Sequence, residues 1–295
     1  PDTMTIDSNN KDFLISNGLW KGHTLYSLYK IAHTPFEWHK EIFAYSKKIG
    51  ITCFSTPFDL TAVDLLESLD TPAYKIASFE ITDLNLISYV AKKNKPIIIS
   101  TGMANLNEIT EAIKVCKANG NSKIIVLHCV SSYPALINQS NISTISDLYN
   151  KLKLNIGLSD HTLSNSVSCT SVALGACLIE KHFTINKRTK SPDNKFSLMP
   201  NEFKKLSISL NEAWQSIGKP NYKILPSEKK NLIFRRSIYS IKDIKKNKKI
   251  TKNHIRVIRP GYGLAPKNLS LIIGKKAKKN IKKGTAFKFN LIYEK

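Results

Sequence analysis

The chain has 295 residues, 42% hydrophobic and 23% charged, which is room for one large domain and a small one. No apolar run approaches the ~20 residues that cross a bilayer, so a membrane-spanning role is set aside. Its 45 Lys and Arg against 22 Asp and Glu leave a net charge of +23. The lysines run along the whole chain without zinc-finger spacing or aromatic interleaving. They read as a basic surface that helps anionic substrates, with no nucleic-acid partner.

The chain opens on Pro1 and a polar stretch without a signal-peptide pattern. Five scattered cysteines (Cys53, Cys116, Cys129, Cys169, Cys177) are odd in number and lack metal-finger spacing. They read as reduced core side chains of a cytoplasmic protein. GHTLYSLYKIA (22–32) and EWHKEIFAYSKKIG (37–50) predict helices.

From residue 51 to about 185, short apolar runs alternate with amphipathic stretches. The runs are ITCFST (51–56), AYKIAS (73–78), PIIIST (96–101), IIVLHCVSS (124–132), NIGLSD (155–160) and LIEKHFT (178–184). Each is too short for a helix and rich in Ile, Val, Leu or aromatic residues. Between them DLTAVDLLESL (59–69), NLNEITEAIKVCKANG (105–120) and SVSCTSVALGA (166–176) predict helices. Such alternation predicts an α/β fold with a helix-covered parallel sheet. Every run ends in small polar or ionisable residues, which favours a TIM-type (β/α)8 barrel with its chemistry at that rim. Six strands are found where a closed barrel has eight, so the first two are expected upstream of Pro1.

The barrel pattern, residues 1–218, ends with the helix NEFKKLSISLNEAWQSIG (201–218), stopped by Gly218 and Pro220. A polar linker is expected over 219–233 and a small, mostly β domain over 234–295. The latter holds an internal echo, DIKKNKKI (243–250) against NIKKGTAF (280–287).

Some candidate site residues stand out by chemistry. Lys75 lies inside an apolar strand, where a lone ammonium is costly; a bound anion or a carboxylate such as Glu80 resolves that cost. His161 and His182 end consecutive strands. They either hold one divalent ion together or act singly as hydrogen-bonded strand-end side chains. Strand-end serines either contact a ligand or cap the following helix. Asp193 lies in SPDN, a turn-like sequence. His128 reads as structural, and His23, His33, His39 and His254 as surface residues.

The ordered motifs ITCFSTPF, AYKIAS, IIISTGM, HCVSSYP, GLSDHT and ALGACLIEKHFT resemble those of the sialic acid synthase family over nearly the whole chain. RRSIYSIKDIKKN, IRPGYGL and GKKAKKNIKKG resemble its C-terminal antifreeze-like (SAF) domain. Within the family, GLWKGHTLYSLYKIAHTPFEWHKEIF and NKFSL (194–198) look like the pseudaminic acid branch. The neuraminic and legionaminic branches usually carry a GPDHKASL-like sequence where this chain has SPDNKFSL. The family's opening Glu…Asn-His and Lys and Gln motifs are not found here.

The resemblance implies condensation of phosphoenolpyruvate with the aldehyde of 2,4-diacetamido-2,4,6-trideoxy-L-altrose. C3 of phosphoenolpyruvate attacks the aldehyde, water adds at C2, and phosphate leaves by C–O cleavage. It further implies His161 and His182 as ligands of a divalent ion, typically Mn2+, with Mg2+ or Co2+ as substitutes. Thr56, Lys75, Ser78, Ser100, Ser131 and Ser159 match positions that contact phosphoenolpyruvate. Glu80 and Asp193 resemble the acids that handle protons or hold the sugar, and Tyr133 and Phe196 the walls of the sugar pocket. Arg259 matches an arginine that reaches a partner's barrel, which implies a homodimer with exchanged C-terminal domains. Two other readings stand beside this one: a barrel aldolase forming a Schiff base through Lys75, and an inactive fragment associating through its SAF domain.

Overall fold

Strands buried on both faces carry uninterrupted aliphatic runs, and four such runs form the centre of one parallel sheet. The computed structural model describes residues 1–189 and 191–293. Its strands are β1 (Tyr74–Ile76), β2 (Ile97–Ser100), β3 (Ile124–Cys129), β4 (Asn155–Ser159) and β5 (Ile179–Glu180), hydrogen-bonded in chain order. Their register aligns Cys129 with Ser159 and Ser159 with Glu180. The last residues of three strands therefore meet at one rim.

Helices α1 (Leu25–Ala32), α2 (Phe36–Ile49) and α3 (Leu60–Ser68) precede the sheet. Crossovers are made by α4 (Leu84–Ala91), α5 (Leu106–Ala118), α6 (Thr144–Leu152) and α7 (Asn165–Ala173), and α8 (Pro200–Ile217) follows β5. Local chemistry starts and stops them. The Asn105 side chain accepts from the backbone of Glu108 while Glu108 reaches back to Asn105, a capping box that opens α5. At the end of α2, Gly50 takes a φ of 74°, which a Cβ would disfavour. Val63, Leu66, Ile87, Val90, Ala112, Ile113 and Ile145 pack from the helices onto Tyr74, Ile76, Ile97, Ile99, Val126 and Ile156.

The edges of the sheet depart from expectation. Residues 51–56 form no regular strand; only Ser55 bridges, in parallel, to Tyr74. Ile51 stays 62% exposed there, so the run lacks the two-sided burial that its composition suits. At the other edge the predicted 178–184 strand shortens to Ile179–Glu180, and Phe183 bridges instead to Leu198. Five paired strands thus stand where six were expected among the described residues. His39, expected at the surface, is buried, with Nδ1 on the Pro35 carbonyl at 3.0 Å. Cys116 and Cys129 are core residues as expected, whereas Cys177 is exposed.

The chain divides into two compact units, Pro1–Gly218 and Lys219–Lys295. In the second, residues expected as a linker include a 3-10 run, Pro226–Phe234. Strands β6 (Ser237–Ser240) and β7 (Ile255–Ile258) pair antiparallel, followed by the short helix α9 (Leu269–Ile272). The internal echo has structural meaning. Ile244 and Ile281 exchange two backbone hydrogen bonds of 2.8 Å. Asp243 accepts from the Lys283 amide and Asn280 from the Lys246 amide, each at 2.7 Å, so the first residue of each repeat caps the fourth of the other. The lysines run throughout, but the acids do not. Residues 219–295 hold 23 of the 45 basic residues and only 3 of the 22 acidic ones. Nearly all the net charge belongs to this unit, an asymmetry that an even lysine-rich surface does not explain.

Candidate active site

Among the described residues Lys75 is the only lysine carried on a strand of the large unit, and with 6% of it exposed it must find partners inside. Its Nζ donates to Ser100 Oγ at 2.7 Å and to the Ile76 carbonyl at 3.3 Å, and lies 3.7 Å from Glu180 Oε2. The expected carboxylate, Glu80, makes no direct contact; Glu180 at the end of β5 is the counterion. Burial lowers the pKa of Lys75, and Glu180 offsets only part of that. An ammonium under-compensated at a sheet rim is suited to a further anion.

The serines surround it. Glu180 Oε1 accepts from Ser159 at 2.7 Å, linking β4, β5 and β1 through one carboxylate. Ser78 Oγ accepts from the Gly102 amide at 3.0 Å. A Cβ on Gly102 would sit 2.0 Å from Ser131 Oγ and 2.8 Å from Ser78 Oγ, so glycine alone lets these two hydroxyls close on the backbone. Ser78, Ser100 and Ser131 thereby offer hydroxyl groups from three successive strand ends.

Next to them lie the imidazoles. His161 Nδ1 donates to the Val130 carbonyl at 2.9 Å, and His182 Nδ1 to Asp193 Oδ2 at 3.2 Å. A carbonyl or a carboxylate only accepts, so each Nδ1 carries a proton, and in the neutral imidazole the lone pair lies on Nε2. The rings are 5.2 Å apart between centroids. Two imidazoles sharing one ion through nitrogens at about 2.1 Å would bring their centroids to roughly 5 Å. The pair fits a divalent cation, and the carboxylate behind His182 is the partner that metal-bound imidazoles commonly have. No group of three His, Cys, Asp or Glu positioned for a metal occurs among the described residues. Two protein ligands would leave positions for substrate. Cys129 Sγ lies 3.9 Å from His161 Nδ1. Burial alone would raise that thiol's pKa, but His161, Ser78 and Ser159 bring it below the ordinary value. Burial depresses His161, while Cys129 and the Val130 carbonyl raise it above its usual range.

An aromatic wall closes the other side. The Tyr133 ring lies 4.3 Å from that of His161 and 5.0 Å from that of Phe196, and Phe196 lies 4.7 Å from His182. Burial raises the Tyr133 pKa to about 12, so its hydroxyl stays protonated. Glu80 is half-buried, its buried Oε2 has no hydrogen-bond partner, and burial raises its pKa. A carboxyl group so held keeps its proton to a higher pH than an exposed one.

Residues 1–222 match the NeuB family, and residues 235–292 match the SAF domain. The chain belongs to the NeuB family. It is 41% identical over 288 residues to the pseudaminic acid synthase of Campylobacter jejuni, which spans 98% of this chain and 84% of that protein. To the N,N'-diacetyllegionaminic acid synthase of the same species it is 43% identical over 247 residues, covering 83% and 74% of the two chains. The crystal structure of the spore coat polysaccharide biosynthesis protein SpsE of Bacillus subtilis superposes with a TM-score of 0.61 at 32% identity. That match covers 98% of this chain and 85% of that one. NeuB membership makes the chain an enzyme, a carbon–carbon bond-forming, phosphoenolpyruvate-dependent transferase.

Of the residues expected from sequence, contacts connect Lys75, Ser78, Ser100, Ser131, Tyr133, Ser159, His161, His182, Asp193 and Phe196. Glu80 lies close enough to influence Lys75. Thr56 does not join them: it faces a groove of about 810 Å³ lined also by Asp2, Thr3, His39 and Phe58. Arg259 is exposed in the C-terminal unit. Four contributors to this candidate site escaped sequence reasoning: Glu180, Gly102, Cys129 and Trp20. The first three lie within or beside the quoted strand runs, where their position at the rim was the available signal. Trp20 comes from the N-terminal loop and has no such signal.

Proposed function

We propose that the chain is a pseudaminic acid synthase, condensing phosphoenolpyruvate, 2,4-diacetamido-2,4,6-trideoxy-L-altrose and water to pseudaminic acid and phosphate. The observation that carries this reading is the continuity of the rim: Lys75 and its serines pass, through Ser131 and Cys129, to the His161–His182 pair. In this reading Lys75 pairs with an anionic group of phosphoenolpyruvate, and Ser78, Ser100, Ser131 and Ser159 donate hydrogen bonds to its oxygens. His161 and His182 hold a divalent cation, Mn2+ or in its place Mg2+ or Co2+. When bound, that cation polarises the sugar aldehyde and stabilises the developing alkoxide. Asp193 keeps the Nδ1 proton of His182 in place and helps to hold the sugar. Glu80, whose pKa burial raises, gives or takes the proton associated with water addition at C2. Tyr133 and Phe196 border the sugar, and Phe196 favours the methyl end of the 6-deoxy substrate. The active species is a homodimer with exchanged C-terminal units, Arg259 of each hydrogen-bonding an acetamido group of the sugar.

The 43% identity to a diacetyllegionaminic acid synthase supports a second reading within the same chemistry, with the legionaminic precursor as the sugar. Offering each sugar separately with phosphoenolpyruvate and measuring phosphate release decides between them. Turnover of the altrose is expected. Release with N-acetylmannosamine or the legionaminic precursor alone would replace the proposal. EDTA should abolish release and Mn2+ restore it. Borohydride trapping of an adduct on Lys75 would instead support a Schiff-base aldolase.

A further inference from the structure

Trp20 is far in sequence from every other site residue, yet two separate contacts bring it to the site. Its ring lies 5.6 Å from Tyr133, on an aromatic series that continues through His161, Phe196 and His182. Its indole N–H donates to the Pro192 carbonyl at 3.2 Å. The next residue, Asp193, is the one that accepts from His182 Nδ1. The loop carrying Trp20 is itself held in place: Leu14 bridges antiparallel to Thr24, and Thr24 caps α1 in a reciprocal capping box with Ser27.

We propose that Trp20 is a specificity-determining residue of the sugar pocket and the clasp of the Ser191–Asp193 turn. This rests on the synthase reading given above. As a wall, the indole extends the Tyr133–Phe196 surface with apolar area that offers nothing to a hydroxyl. A methyl group at C6 of the sugar is accommodated there, whereas a hydroxymethyl group must lose water from its hydroxyl without compensation. An apolar wall of this kind discriminates against an added hydroxyl by at most about 100-fold. As a clasp, the indole N–H fixes the backbone beside Asp193, and through it the orientation of His182. The two roles separate by substitution. Trp20→Phe keeps a ring and removes the N–H; Trp20→Ala removes both.

The test uses a background in which Trp38 and Trp214, 58% and 67% exposed and outside the site, are replaced by Phe. Trp20 is then the sole tryptophan of the three in the chain. Its emission is expected to change on addition of the trideoxy altrose. Trp20→Ala should raise KM for that sugar about tenfold and narrow the preference for it over the 6-hydroxy sugar, N-acetylmannosamine. KM for phosphoenolpyruvate should stay within about twofold, since the anion site lies at the Lys75 end of the rim. Trp20→Phe should leave the sugar KM near the parent value and weaken Mn2+ binding, read by paramagnetic resonance of free Mn2+, about threefold. Circular dichroism and melting temperature confirm that each variant is folded. Silent Trp20 emission during normal turnover, or an unchanged sugar KM in Trp20→Ala, would overturn the wall. Unchanged Mn2+ affinity in Trp20→Phe would overturn the clasp. The parent's choice among sugars tests the underlying reading. If the parent accepts only a 6-hydroxy sugar, that reading falls, while a raised KM for that sugar in Trp20→Ala would leave Trp20 a pocket wall.

Discussion

Two lysines beside the same strand ends are both withdrawn from solvent, and the protein treats them oppositely. Lys181 meets Asp160 at 2.9 Å with both side chains almost fully buried, and it also donates to the Thr162 carbonyl. Asp160 in turn accepts from Ser168 Oγ and from the Thr162 amide. Every polar group in that knot has a protein partner. Lys75 has one hydroxyl, one long carbonyl contact and a counterion 3.7 Å away whose side chain is 38% exposed. The first arrangement holds the loop that carries His161. The second leaves an ammonium with capacity to spare. A buried charge fully satisfied by the protein is structural, and one left partly unsatisfied beside a cavity or rim is suited to a ligand.

The largest expected effect is on the structural side. Asp160→Ala leaves Lys181 buried without its counterion and should destabilise the fold by about 3–5 kcal/mol, read by denaturant unfolding. Asp160→Ala with Lys181→Met should recover much of the loss. If the single variant unfolds like the parent, the Asp160–Lys181 pair is not the fastener described here.

On the ligand side the expected pattern reverses. Lys75→Met removes a charge-assisted contact, typically about 1.5–3 kcal/mol, so kcat/KM for phosphoenolpyruvate should fall by roughly 10–150-fold. Stability should change little or rise, because the costly buried ammonium is gone. A large loss of stability with phosphoenolpyruvate affinity intact would mean that Lys75 belongs with Lys181.

A pH titration sharpens the same contrast. In the proposed reading it is the protonated amine that binds the anion, and burial lowers the pKa of Lys75. KM for phosphoenolpyruvate should therefore rise at a lower pH than an ordinary lysine would dictate, and Lys75→Met should lack that alkaline limb. The sign for folding is opposite. An unfolded Lys75 keeps its proton to higher pH than the folded one, so stability increases as pH rises between the two values.

These two lysines also show what sequence can convey. The alternation of apolar runs with amphipathic segments made the parallel α/β sheet legible, because burial on both faces leaves a continuous aliphatic signature in β1–β4. The rim residues Lys75, Ser100, Ser159, His161 and His182 were legible because ionisable groups at the ends of such runs are conspicuous. Partner choice was not. Glu80 is five residues from Lys75 and was the natural counterion to expect, but β5 lies four strands away in the same sheet and still delivers Glu180 to it. Nothing in a linear sequence gives that closure. Edges were illegible for a related reason: 51–56 and 178–184 have strand composition, yet regular pairing needs neighbours that composition does not reveal. Nor did the lysine count distinguish the units, since the asymmetry resides in where acids are missing.

The smallest effect isolates the counterion itself. Glu180 touches Lys75 with one oxygen and accepts from Ser159 with the other, so Glu180→Gln keeps the shape and the Ser159 contact while removing the charge. The Glu180 charge is partly exposed, so solvent screens it and the global stability should hardly move. What should move is the alkaline limb. Glu180 is the foremost influence raising the Lys75 pKa against burial. Without it the ammonium loses its proton at a still lower pH, and the rise in KM for phosphoenolpyruvate should shift downward in pH while kcat at neutral pH changes less. A limb that stays in place would mean that the Lys75–Glu180 contact does not set the charge of Lys75, and the distinction between the two lysines would then rest on burial alone.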